Sequence, residues 1–292
     1  MIDTLKNIPV VRSRMQLINL LAYGYKDLGK VEFGHIFNTY AFNNIEGHRI
    51  RLGLKSSFDF SRKWVFKGHL AYGTLDQEFK YGIAASYIFS RNPWTIMGVE
   101  RSRDLEQLGL NIEELANNYI FYAANKFGEQ RRPFYNSINK FHFQSEFKKG
   151  ITEKIEIKNQ IFDPLFNFQY FLDPGAMDSP VKDSFTTTEV SFETRLTKGE
   201  VFLQNENERV SLGSGNWPVI SLKYTYGMKG ILGGDFEYHK VSFDISQNLK
   251  AGFWVGFNTI FPGGKFLIPS HILYSKYILE MKLFFIPQPH IT

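Results

Sequence analysis

The amino-acid sequence predicts an all-β protein, an antiparallel transmembrane β-barrel of the outer-membrane kind. Three observations predict it. Apolar and polar residues alternate with a period of two through most of the 292 residues. The alternating runs mostly reach about ten residues, the length a tilted strand needs to cross a bilayer and about twice the usual ~5–6 of soluble sheets. Aromatic residues make up 16% of the chain, and girdles of aromatic side chains at both lipid–water interfaces are one physical reason for such a load.

The elements follow in order. Ile8, Val11, Met15, Ile18 and Leu21 recur at helical spacing, and Asp3 can cap them, so a short helix is expected over 1–25. The period then changes to two. From Gly47 to Phe60, Ile50, Leu52, Leu54, Phe58 and Phe60 fall on one face, with Arg49, Arg51, Lys55, Ser57 and Asp59 on the other. Trp64, Phe66, Leu70 and Tyr72 repeat the pattern against Val65, Lys67, His69 and Ala71. In the next run, Phe79, Tyr81, Ile83, Ala85, Tyr87 and Phe89 share a face, aromatic at both ends and aliphatic between, the order of a strand crossing lipid. Alternation returns over 140–148, 151–161, 189–196, 220–228, 240–245 and 249–257, for about a dozen strands. Asn43-Asn44, Ser61-Arg62, Asn92-Pro93 and Lys149-Gly150 read as turns, and longer loops are expected near 103–117, 164–184 and 198–217.

Composition excludes several function classes. The chain has no cysteine, so disulfides and thiolate metal or redox sites are ruled out. The net charge of +5 is spread along the chain, with no basic block of the kind that binds nucleic acid. No run approaches the ~20 apolar residues of a membrane helix. None of the seven histidines has zinc-motif spacing, Ser211 to Gly215 has no nucleophile elbow, and Gly227 to Gly234 lacks the Lys-Ser/Thr ending of a phosphate loop. No metal, cofactor or catalytic residue is therefore expected.

Asn44-Ile-Glu-Gly-His-Arg-Ile-Arg-Leu-Gly53 resembles a motif of a family of Gram-negative outer-membrane proteins with an N-terminal carboxypeptidase-regulatory-like domain and a C-terminal barrel of unknown function. Phe79 to Gly82, Asp104 to Gly109, Asp235 to Lys240 and Ile245 to Trp254 are similar to later blocks of the same barrel, in order, and the resemblance runs from about residue 2 to Lys265. It implies an incomplete barrel, with a signal peptide and the additional domain upstream. Residues 269–285 do not resemble the family. A permitted choice of codons, read one frame out, spells a stretch similar to the family's next block, so a frameshift near codons 266–269 is expected. The chain then divides into a helical lead-in at 1–25, a barrel region at 26–265 and an aberrant tail at 266–292.

The sharpest chemical feature is the charged face of Glu46, Arg49, Arg51, Lys55 and Asp59. Charge cannot face lipid cheaply, at roughly 2–4 kcal/mol for Arg or Lys at the midplane, so these residues are expected to point into the lumen. Two readings follow: a lumenal stripe that binds a plug, a loop or an anionic solute, or a brace in which Arg49 and Arg51 pair with acids such as Asp59 or Glu193. The expected function is non-enzymatic, in transport or outer-membrane assembly, with outer-membrane lipid and other envelope proteins as partners. A rim-site barrel enzyme and a soluble all-β binding protein are the alternatives.

Overall fold

A computed structural model describes residues 24–109, 119–171, 181–205, 207–214, 217–251, 255–262 and 266–269. The strands are β1 (Tyr25–Asp27), β2 (Val31–Gly34), β3 (Tyr40–Asn43), β4 (Gly47–Ser56), β5 (Trp64–Gly73), β6 (Phe79–Arg91), β7 (Trp94–Gln107), β8 (Pro133–Lys148), β9 (Ile151–Pro164), β10 (Tyr170–Phe171), β11 (Val181–Lys182), β12 (Phe185–Leu196), β13 (Val201–Asn205), β14 (Glu208–Gly213), β15 (Val219–Gly227), β16 (Tyr238–Ala251), β17 (Val255–Pro262) and β18 (Phe266–Pro269). A helix, α1 (Tyr119–Ala124), lies between β7 and β8. Among the described residues the protein is all-β, with almost no helix.

Fourteen strands form one sheet in the order β1-β2-β4-β5-β6-β7-β8-β9-β12-β15-β16-β17, with β3 beside β4 and β18 beside β16. Every pairing within it is antiparallel. The ladder is a meander in which each long strand pairs with the long strands before and after it. Two small hairpins, β10–β11 and β13–β14, stand outside it.

The faces of the sheet are inverted relative to a water-soluble core. Ile50, Leu52 and Leu54 on β4, Phe66 and Leu70 on β5, Ile83 and Phe89 on β6, and Ile155 and Ile157 on β9 are exposed. Glu46, Arg49, Lys55, Lys80, Asp104, Glu156 and Glu189 are buried. Lys80 and Glu46 are 0% accessible, whereas Leu52 is 59% accessible. Cross-strand register keeps the two sets apart. Leu52 lies opposite Leu70 and Arg49 opposite Gly73, while Phe141 opposes Ile157 and Lys140 opposes Lys158. A one-residue slip would exchange the faces, so the alternation itself fixes the register.

The connections differ at the two ends of the sheet. At the end where α1 lies they span 44–46, 74–78, 108–132, 165–184 and 228–237. At the other they span 57–63, 92–93, 149–150, 197–218 and 252–254. Asn92-Pro93 and Lys149-Gly150 are two-residue turns, and Gly150 supplies the positive φ of +84° that its turn requires. The consecutive long connections at 165–184 and 197–218 fall at opposite ends and contain β10–β11 and β13–β14.

Several expectations change. β4 stops at Ser56, so Phe58, Asp59 and Phe60 leave its faces and lie in the turn that follows. β7 occupies the front of the loop expected at 103–117. It escapes the alternation rule because Arg101 and Arg103 pair with Ile83 and Tyr81 on the apolar side. β8 begins at Pro133, well before Lys140. Tyr25, the last residue of the expected lead-in, opens β1; residues 1–23 lie outside the described residues. The ladder on β16 continues through β18 past Lys265, and the remainder of the expected aberrant tail, 270–292, also lies outside them.

Candidate functional site: a buried ionic cluster under a folded-in loop

The cluster begins at the turn before β4. Asn43 is buried, and its Oδ1 accepts the backbone N–H groups of Ile45 at 3.1 Å and Glu46 at 2.7 Å. This side chain-to-backbone turn aims Glu46 inward. Gly47 completes it with φ +65°, where a Cβ would sit 2.8 Å from Thr74 Oγ1. The Asn43 amide also donates to Glu46 Oε2 at 2.8 Å.

Glu46 Oε1 then accepts from Arg49 Nη1 at 2.7 Å and lies 3.1 Å from Lys80 Nζ. Arg49 grips Asp104 of β7 with both terminal nitrogens, at 2.8 and 3.2 Å. This two-pronged geometry is the strongest that guanidinium and carboxylate adopt. Lys80 also contacts Asp76, which accepts from Tyr135 OH at 2.8 Å. Lys126, from the β7–β8 connection, approaches Asp104 to 3.3 Å and donates to the Leu105 carbonyl. Tyr122 of α1 donates to Asp104 at 3.2 Å. Three cations, Arg49, Lys80 and Lys126, thus meet three carboxylates, Glu46, Asp76 and Asp104. Removing either member of such a pair strands a buried charge.

The same connection is stitched to the β3–β4 turn. Gly128 N–H donates to the Phe42 carbonyl at 2.9 Å, Gln130 N–H to Asn44 Oδ1 at 2.7 Å, and Asn43 Nδ2 to the Lys126 carbonyl at 3.1 Å. Burial alone would lower the pKa of Lys126 and is the largest single influence on it, but Asp104, Tyr122 and Glu106 together outweigh it and raise the value. Burial raises that of Tyr122. Lys126 therefore stays charged where it meets Asp104.

Further ion pairs continue along this face. Glu100 meets Lys140 at 2.6 Å, Glu156 meets Lys154 at 2.8 Å, and Glu189 meets Lys158 at 3.2 Å and Lys240 at 3.6 Å. At the α1 end, Phe134, Phe162, Phe168, Tyr170, Phe185 and Phe236 pack ring to ring. At the other end, Asn207 between β13 and β14 reaches the Ser61 carbonyl and accepts from Arg91, both at 2.8 Å. Chain segments thus bridge the ionic face at both ends.

Of the five residues singled out from sequence, Glu46 and Arg49 enter the cluster. Arg51 lies beside it, with a buried Nη1 that has no hydrogen-bond partner among the described residues. Lys55 is buried on the same face but pairs separately with Glu32 at 2.8 Å. Asp59 is exposed in the turn after β4 and takes no part. The acids that hold Arg49 are Glu46 and Asp104, not Asp59 or Glu193: β4 ends before Asp59, and Arg49 reaches Asp104 on β7, three strands along the sheet. Sequence reading missed Asp76, Lys80, Asp104, Tyr122 and Lys126. Lys80 and Asp104 each stood within a quoted sequence block, but nothing local tied them to Arg49.

The chain matches the C-terminal domain of a family of unknown function, DUF5686, over residues 20–278. It belongs to that family. The match spans the whole described ladder and every residue of the cluster, and it extends beyond Lys265. No curated protein matches the chain.

Proposed function

We propose that this DUF5686 domain forms the wall of a β-barrel in the outer membrane of a Gram-negative bacterium. Its polar lumen is stoppered by its own loops, and it serves non-enzymatic transport. The carrying observation is the inversion of burial: aliphatic side chains cover the exposed face while lysines, arginines and carboxylates are buried. In water that arrangement is unfavourable on both counts, and in lipid it is favourable on both.

Other features support the reading. On the apolar face, Phe60, Phe66, Trp64, Tyr87, Phe89 and Phe143 touch in succession near one end. Tyr72 and Phe79 pair near the other, 4.9 Å apart. Aliphatic residues lie between, as between two interfacial girdles. Strands β4 to β9 have 10 to 16 residues, enough to cross at a tilt of about 45°. Closure of the sheet would remove its two edges, one formed by β1 and β3 and the other by β17 and β18. The loops over both ends of the ionic face favour a gated passage over an open pore. The partners are outer-membrane lipid and other envelope proteins, within a longer protein that carries the carboxypeptidase-regulatory-like domain.

The test is flotation of the native full-length protein with lipid vesicles after a urea wash, followed by conductance of the reconstituted protein. We expect it to float, with low conductance that rises when the loop is released. Recovery in the aqueous fraction without detergent would overturn the membrane reading. Conductance that stays at the bilayer background after release of the loop would overturn transport and leave assembly.

A further inference from the structure

The outward face of the sheet is not equally apolar along its width. No polar side chain interrupts it from Trp64 to Tyr72 on β5 or from Phe79 to Phe89 on β6, about the 9–11 residues that a tilted strand needs to cross a bilayer. At β7 this changes. Arg101, Asn139, Asn159 and Thr188 lie directly opposite one another across β7, β8, β9 and β12, in the same cross-strand row as Ile83. Arg101 and Asn139 are exposed. Their neighbours Glu100 and Lys140 pair with each other on the ionic face, so the period of two turns Arg101 and Asn139 outward. Asn139 donates to Asn159 at 3.5 Å, and Asn159 to Thr188 Oγ1 at 3.0 Å.

A second polar row runs through Thr95, Ser145, Glu153 and Thr194, six residues away from the first on each of the same four strands. The Thr95 and Ser145 hydroxyls meet at 3.0 Å, and Thr194 donates to the exposed Glu153 at 2.8 Å. Two rows of side chains lie between, all apolar, from Val99 and Met97 on β7 to Val190 and Phe192 on β12. Six residues at about 3.3 Å each, tilted by about 45°, rise roughly 14 Å, against the ~25 Å apolar band that such barrels present to lipid. The next row toward α1, Arg103, Ser137, Ile161 and Thr186, is polar at three of its four positions. Beyond the second row, Phe147, Ile151 and Leu196 lie at the ends of their strands, where an interfacial girdle stands.

On the membrane reading, on which this rests, we propose that β7, β8, β9 and β12 form a short panel that thins the outer membrane beside it. Lipid headgroups of the two leaflets come down to the two polar rows, and Arg101 holds a headgroup phosphate. A stripe apolar in the middle and polar along both borders has the cross-section of a bilayer, only shorter. A bilayer that meets a short apolar stretch thins to match it. At full thickness, each of the four strands would instead hold a polar side chain in hydrocarbon, and Arg101 is the costliest of them. The guanidinium is complementary to a phosphate, which it can grip with two parallel hydrogen bonds. Thinning also lowers the cost of placing a polar group in the membrane, so another polypeptide would enter the bilayer most easily beside this panel.

The experiment is reversible urea unfolding of the full chain in vesicles of dilauroyl phosphatidylcholine, a thin bilayer, and of dioleoyl phosphatidylcholine, a thicker one. The folding constant of the parent should be roughly tenfold or more higher in the thin bilayer. Arg101→Leu combined with Asn139→Leu and Asn159→Leu lengthens the apolar stripe toward α1 and should remove most of that preference. An equal preference in this variant, or none in a parent that does insert, overturns the panel and leaves the membrane reading standing. A parent that inserts in neither bilayer overturns the membrane reading, and the panel with it. Should the triple variant not fold, nitroxide labels decide, since the chain has no cysteine of its own. A label at Asn139→Cys relaxed by a water-soluble nickel complex, with one at Leu52→Cys relaxed by dissolved oxygen, supports the panel. Relaxation by oxygen alone at both sites overturns it. Exclusion of both reagents from Asn139→Cys in native membranes also overturns it, because a protein then covers these strands.

Discussion

Replacing Leu52 by arginine separates a lipid-facing wall from a water-facing one. Leu52 lies near the middle of the ten-residue strand β4, opposite Leu70, with Ile50 and Leu54 on the same face. Ten residues at about 3.3 Å each, tilted by about 45°, rise roughly 23 Å, close to the ~25 Å apolar band of such barrels. Leu52 therefore falls near the bilayer midplane. An arginine there costs about 2–4 kcal/mol in lipid, roughly a thirtyfold to thousandfold loss in the folding constant. In water, at a position already 59% exposed, a surface substitution changes stability by only about 0.5 kcal/mol either way. Reversible denaturant unfolding in vesicles, followed by tryptophan fluorescence, reads the difference. Trp64→Arg, in the aromatic row, provides the depth control at about 0–1 kcal/mol for its charge. Equal stability of Leu52→Arg and the parent in vesicles would refute the reasoning.

Three other outcomes are expected. Asp104→Ala removes the acid shared by Arg49 and Lys126 and should destabilise the fold by about 3–5 kcal/mol, measured by the same unfolding; a loss within experimental error would show that the cluster does not brace the sheet. Lys126→Met should free the β7–β8 connection and raise steady conductance in planar bilayers, whereas an unchanged trace would show that this connection is not the stopper. Gly82→Ala would place a Cβ 2.3 Å from the His69 ring, while at Gly68 the nearest atom would be 3.8 Å away. The first should therefore cost about 1–3 kcal/mol and the second much less, and equal losses would contradict the packing.

Much of the fold was legible because each long strand writes its two faces into consecutive residues. Val65, Phe66, Leu70 and Ala71 of β5, and Phe79, Lys80 and Ile83 of β6, lie on the faces their alternation indicates. β7 was harder, because Arg101 and Arg103 sit among the apolar residues of one face and blur the period. Helix α1 has only six residues, too short for a 3.6-residue period to emerge. The cluster was legible only by half. Glu46 and Arg49 stand in one block, but Asp104 is 55 residues from Arg49, and a long-range pair leaves no local mark. Asp59 illustrates the converse: the alternation continues through it, yet the chain has already turned.

The nearest-neighbour order of the ladder also bears on how the protein folds. Successive strands pair through connections as short as two residues, so most of the sheet can zip up at small cost in loop-closure entropy. The contacts of the cluster span far more chain: 55 residues from Arg49 to Asp104 and 83 from Asn43 to Lys126. The entropy of closing such loops predicts that these contacts form after the local hairpins, on the native side of the rate-limiting barrier. Weakening them should leave the folding rate nearly untouched and speed unfolding by almost the whole change in stability. The cluster then sets the lifetime of the folded protein, a property that unfolding rates of Asp104→Ala, measured beside its folding rates, would read directly.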